Sequence, residues 1–211
     1  MSNYALFIDG LSEQIDALNA LDPEILRVVR MSVNKGADFG RAEAARQIGR
    51  QLNLPARYIS GSNGKLTVTS KATSSTLEAK IGARSAPTSL ARYSTDRDPR
   101  ASRKRGGVNL AVKPGGARFM PRAFLIKLKA GSSSVDTNYN LGLAIRLRPG
   151  EQIDNKRIRA KRVESNLYVL YGPSVSQAFI NASGSGVAED ITPDILDKME
   201  NEFLRLLKVK L

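Results

Sequence analysis

Three groups of residues are spaced to do chemistry, and each suggests a different kind. Glu189, Asp190, Asp194 and Asp197 place four carboxylates close together, as a cation site with oxygen ligands would need. Gly106-Gly107 and Gly115-Gly116 are glycine pairs of the sort that bring backbone N–H groups to a phosphate. Arg97, Arg100, Arg103, Lys104 and Arg105 form a basic loop suited to phosphate oxygens. The first two groups have simpler readings. Acids at the start of a helix favour its dipole, which accounts for the carboxylates. The glycine pairs open no helix, and no GxxxxGK[ST] is present, so they read as turns.

The residue types that are missing narrow the field further. The 211 residues contain no His and no Cys. A Ser-His-Asp triad, an imidazole base, a cysteine nucleophile and thiolate metal sites are therefore closed. Lysine bases and paired carboxylates remain open in principle, but no pair is spaced for hydrolysis. The expectation is a protein that is not an enzyme, with no catalytic residue, cofactor or metal.

The basic loop belongs to a wider pattern. The chain carries 33 Lys+Arg against 20 Asp+Glu, a net charge of +13. From Pro99 to Val135 there are nine basic residues and no acid. A second basic window, Arg146 to Arg162, includes Arg157, Arg159, Lys161 and Arg162. Met1 to Arg50 holds seven acids, and Glu189 to Glu202 holds six acids with one Lys. The molecule is polarised, with a basic middle between more acidic ends. Such charge implies a polyanionic partner or an acidic protein surface. The Arg97–Arg105 loop fits an ordinary solvated loop, a contact with an acidic neighbouring subunit, or DNA phosphates. Aromatic residues that would stack on bases are scarce beside it, so any DNA contact would be non-specific. No run of apolar residues is long enough to span a membrane, and the start lacks a signal-peptide pattern. The expectation is a soluble protein made in a cytoplasm, with no membrane partner.

The elements that must position these groups follow from periodicity. Asp22-Pro23-Glu24 starts a helix expected to run to about Asn53, with Gly36 or Gly40 as places for a kink. Leu11 to Leu21 reads as a short amphipathic helix before it, and Pro55 starts a turn of helix. Alternation predicts strands at residues 65–69, 76–81, 108–112, 123–128, 141–147 and 168–171. Ser94 to Gly107 and Gly131 to Asn140 read as loops, and Pro87 to Tyr93 as one helical turn. Thr192-Pro193-Asp194 is expected to cap a C-terminal helix with Ile195, Leu196, Met199, Phe203, Leu206 and Leu207 on one face. The stripe Phe203, Leu206 and Leu207 reads most simply as core, with a subunit contact as the alternative. Helices, then strands, then a helix make an α+β fold: a long N-terminal helix packed on a mainly antiparallel sheet, with a C-terminal helix. The expected organisation is one domain over residues 1–182, then a linker and helix over 183–211.

One stretch is distinctive. Tyr171-Gly172-Pro173-Ser174-Val175 ends a strand at Gly and begins a short helix that packs Val175 and Phe179 on one face. The arrangement resembles the phage minor tail protein Z family, the tail completion proteins of long-tailed phages. Residues 41–48, rich in Ala and Arg, the following Leu54-Pro55, the basic loop leading into Gly106-Gly107-Val108, and Ala123-Phe124 occur in the order expected of that family. The resemblance covers roughly residues 20–180 and stops short of the C-terminal helix. It implies a virion structural protein at the head-proximal end of a tail. It further implies a ring, a hexamer by resemblance, around the DNA channel that enables head–tail joining. The partners implied are further copies of itself, tail terminator, tail tube and head–tail connector proteins, and genomic DNA non-specifically. The location implied is the neck region of the virion, after assembly in the host cytoplasm. The alternative from another class is a free-standing, non-specific nucleic-acid-binding protein.

Overall fold

Asp22 begins the first helix as its type and position require. Its carboxylate accepts the Glu24 backbone N–H at 2.7 Å, its carbonyl accepts the Leu26 N–H at 3.1 Å, and Pro23 opens helix α1, Pro23–Gln51. The structure, a computed structural model, describes residues 5–7, 22–61, 64–95, 103–128, 140–180 and 186–210. The expected helix at Leu11–Leu21, the loop at Gly131–Asn140 up to residue 139, and most of the linker after Asn181 lie outside them.

Contacts divide the chain into two compact units. The first comprises the described residues of Met1–Gly49, Pro55–Ser85 and Val175–Leu211. The second comprises those of Arg50–Leu54 and Ala86–Ser174.

In the first unit α1 runs without interruption through Gly36 and Gly40. No kink is needed to explain them. Ser32, Gly36, Gly40 and Ala44 recur every four residues and are all buried, so a seam of small side chains lies along one face. The C-terminal helix α4, Val187–Lys210, fills that seam. A Cβ on Gly40 would stand 2.5 Å from Cδ1 of Ile195, and one on Gly36 would meet Cγ of Met199 and lie 2.8 Å from its sulfur. Beside the seam, Val33 and Ala37 pack with Ala72 and Ala79, and Val29, Val68 and Met199 close around them. A three-stranded antiparallel sheet lies in the same unit, in the order β1 (Ala5–Phe7), β3 (Lys80–Ala83), β2 (Leu66–Ser70). Helix α2 (Ala56–Ser60) and helix α3 (Val175–Phe179) add buried Ile59, Val175 and Phe179.

Two expectations are corrected here. Residues 76–79 are not part of a strand: Thr73 and Thr76 close a turn, through Thr73 N–H to Thr76 O at 2.8 Å and Thr76 N–H to Thr73 Oγ1 at 3.1 Å. Their alternation records burial of Leu77 and Ala79 without a ladder partner. The Asn34 amide holds this connection, donating to Ala72 O at 3.0 Å and accepting from Ala72 N at 2.8 Å. The second correction is the start of α4. Thr192-Pro193 does not cap it but sits inside it, with the Thr192 hydroxyl donating to Ala188 O at 2.8 Å. An interior proline costs about 3 kcal/mol. Val187 and Ile191 are fully buried, each contributing about 1.5–3 kcal/mol, and that burial holds the preceding turn helical. Farther along, Phe203, Leu206 and Leu207 stay partly exposed rather than entering the core.

The regular structure of the second unit is mostly strand. Its five-stranded sheet has the order β4 (Thr88–Ser89), β10 (Leu167–Gly172), β8 (Asn140–Arg146), β7 (Phe124–Leu128), with β9 (Arg159–Arg162) also paired to β10. A two-stranded ribbon joins β5 (Gly107–Leu110) to β6 (Arg118–Pro121). Every pairing in both units is antiparallel, and the fold is α+β with a long N-terminal helix and a C-terminal helix. Leu125, Leu143 and Leu170 are completely buried. The 3₁₀ turn Leu90–Tyr93 stands where one helical turn is expected. Besides the very short β1 and β4, the latter at the start of the expected Pro87–Tyr93 turn, strands β6 and β9 were not expected from the sequence. Both are short and mostly exposed, so neither shows the period-2 burial by which a strand is read.

Candidate functional site

The basic residues of the second unit fall on two local structures. Arg97 and Arg100 lie outside the described residues. Arg103, Lys104 and Arg105 form one exposed helical turn, closed by Gly106 N–H to Arg103 O at 3.2 Å. Gly106 has φ +72°, the left-handed conformation that glycine adopts without strain, and it turns the chain into β5. The Arg103 guanidinium lies 5.6 Å from the centre of the Phe124 ring, within cation–π range. Gly107 is needed for a different reason. A Cβ there would meet the Phe119 ring and lie 2.7 Å from Met120 O, a backbone atom. In each pair the first glycine makes the turn, Gly115 with a positive φ of +85°, while Gly107 already belongs to β5.

The second basic window forms a hairpin. In β9, Arg159, Ala160, Lys161 and Arg162 are all exposed. The strand pairs with β10 so that Arg162 faces Tyr168 and Arg159 faces Tyr171. Val163 N–H to Leu167 O at 2.9 Å closes the hairpin, and Arg162 Nε donates to Glu164 O at 3.2 Å. Arg157 precedes it in a turn set by its backbone N–H to Asn155 Oδ1 at 3.0 Å. One edge of β9 is paired; the other has no partner strand among the described residues. A charged, short edge strand resists uncontrolled strand addition. The signal that could have revealed this strand is the Glu164-Ser165-Asn166 turn before the apolar run of β10.

Near these surfaces one carboxylate joins two loops. Glu151 pairs with the Arg122 guanidinium and accepts the Arg148 backbone N–H at 2.8 Å. Hydrogen bonding from Arg122, then from Arg148, holds its pKa below the ordinary glutamate value of 4.5. Arg122 adopts φ 60°, the one positive φ at a non-glycine position among the described residues.

The Tyr171-Gly172-Pro173-Ser174-Val175 turn stands at the end of β10, where the second unit gives way to the first. Gly172 is not in the left-handed region. Space is the constraint instead: a Cβ would lie 2.7 Å from Cδ2 of the buried Leu90. The Tyr93 hydroxyl donates to Pro173 O at 3.4 Å, which fixes the turn within the second unit. Val175, Ser174 and Phe179 are buried.

The acids at Glu189, Asp190, Asp194 and Asp197 are exposed along α4. Among the described residues no group of acidic side chains converges as metal ligands would. No helix among them is long and apolar enough to cross a membrane.

No curated protein and no solved structure matches the chain closely enough to be informative. The model of the family described as prophage minor tail protein Z (GPZ) matches residues 8–210, nearly the whole length and including the C-terminal helix. The exposed charge, the turn after β10 and this match lead to one conclusion: the chain belongs to the prophage minor tail protein Z family, structural proteins of the virion tail.

Proposed function

We propose that this protein completes the head-proximal end of a phage tail, as a ring around the DNA channel, and makes the tail competent to join a head. Family membership over residues 8–210 carries the reading. Three features support it. The basic turn Arg103–Arg105 and the hairpin strand β9 present cations to solvent, where a lumen or a neighbouring ring would meet them. The acidic residues of α4 are exposed on the other unit. The absence of His and Cys closes the commonest nucleophile–base pairs, which fits a structural role. Its partners in this reading are tail tube, tail terminator and head–tail connector proteins.

The test is particle assembly without the protein. Lysates lacking it should hold full heads and complete-length tails that fail to join, and adding the purified protein should restore joined particles. Gold labelling should mark the head-proximal tail end. Joined, infectious particles without the protein would reject the proposal.

A second reading, non-specific binding of nucleic acid, is favoured by the exposed cations of β9. It expects affinity for random-sequence duplex to fall steeply with salt.

A further inference from the structure

Helix α4 has two apolar faces. The inner one is occupied by buried Val187, Ile191 and Ile195, with Met199 against the α1 seam. The outer one is not. Leu196 is 50% exposed and Leu204 46%, eight residues apart with exposed Glu200 midway, so all three share a face. Phe203 and Leu207 lie beside them, half-exposed. Exposed Asp197 lies one turn before Glu200 and two turns before Leu204, and exposed Asp194 one turn before Asp197, so this side of the helix carries a row of carboxylates beside its leucines. None of these acids forms a salt bridge among the described residues.

The β9–β10 hairpin offers the converse surface. Val163 is 53% exposed and directly follows Arg159–Arg162, with Lys156 and Arg157 exposed just before. Asp154 and Glu164 are the acids nearby in sequence, so the hairpin stays net positive. A single exposed leucine or valine is ordinary. Exposed Arg205 and Lys208 lie beside Leu204, so the carboxylate rim belongs to the Leu196 end of the face; two apolar centres with rims of opposite sign, at Leu196 and at Val163, are not ordinary on a chain of net charge +13. Copies of such a chain repel unless unlike surfaces meet.

We propose that the outer face of α4 docks on the β9–β10 hairpin of a neighbouring copy, with Leu196 and Leu204 against Val163 and the carboxylates against Arg159, Lys161 and Arg162. The apolar centre supplies affinity and the charged rims supply partner choice. The two surfaces differ, so the contact is head-to-tail, the kind that closes rings. The inference rests on the ring reading above and names the surfaces that would build it.

The test uses two full-length variants with charge reversed on one surface each. One carries Asp194→Lys, Asp197→Lys and Glu200→Lys; the other carries Arg159→Glu, Lys161→Glu and Arg162→Glu. All six positions are exposed, and circular dichroism checks that both variants fold. Self-association is measured by sedimentation and light scattering. Each variant alone should associate at least about a hundredfold more weakly than the wild type. Mixed in equal amounts, the two should assemble again, since each reversed surface then finds its complement on the other chain. Assembly of either variant like the wild type, or a mixture that stays monomeric, overturns the inference. A hairpin variant that assembles normally but loses binding to random duplex DNA overturns it in favour of nucleic acid. A wild type that is monomeric at every concentration and absent from purified tails removes the ring reading as well. Variants that assemble like the wild type leave the ring standing and remove these surfaces.

Discussion

At the scale of single residues, Glu151 shows how a surface charge acquires a structural task. Its carboxylate ties the Arg122 turn to the Arg148 loop, and those donors favour its ionised form. Its folded pKa is lowered, so its contribution is present above the unfolded value of about 4.5 and is lost as pH falls through the folded value. Glu151→Gln should therefore melt below the wild type near about pH 7, with the gap closing toward about pH 3. Thermal melts at both pH values check this; a gap that persists in acid would mean the carboxylate charge is not what joins the loops. Nothing in the sequence pointed to Glu151. It is one of two acids, with Asp154, in a basic window, and its two partners come from separate loops. Gly172 was legible as a special position but for a different cause, since the crowding atom, Leu90 Cδ2, lies 82 residues away.

Elements were read best where burial and periodicity agree. Helix α1 announced itself through Asp22-Pro23-Glu24 and a long run of helix formers, and its start agrees with the structure. The use of its glycines was hidden, because the helix they admit lies at the other end of the chain. That packing gives an ordered pair of expectations. In Gly40→Ala the new Cβ meets Ile195, which is buried and β-branched and cannot yield, so a loss of about 1–3 kcal/mol is expected. In Gly36→Ala it meets Met199, which is flexible and partly exposed. Replacing a helical Gly by Ala also returns about 1 kcal/mol of helix propensity, so Gly36→Ala should be near neutral. Urea midpoints of the two variants decide it; equal losses would show that Met199 is held as firmly as Ile195. The misplaced start of α4 has the opposite origin: local cap chemistry at Thr192-Pro193 was plain, and the distant burial of Val187 and Ile191 outweighed it. Strand β9 escaped notice because pairing alone, without alternation, makes it a strand. The candidate site shared that fate: its basic residues were visible as a charge run, but their hairpin was not.

At the scale of the whole molecule, the division into two units crosses the order of the sequence. The first unit is left briefly for Arg50–Leu54, then again after Ser85, and is re-entered at Val175. Within it, Ser176 N–H donates to Arg84 O at 3.1 Å, so the points of departure and return are adjacent. Joining residue 85 to residue 175 through a short glycine-rich linker should therefore leave the first unit folded, with α1 and α4 still paired. A helical circular dichroism spectrum with a cooperative melt would bear this out, whereas a chain without a transition would show that the first unit depends on the second. Residues 86–174 also hold both basic windows and most of the strands. A stretch that begins and ends at neighbouring points can lengthen, shorten or be exchanged without strain on its host. The hydrogen bond between Ser176 and Arg84 thus marks the place where this chain could take on a different surface while keeping the same helical frame.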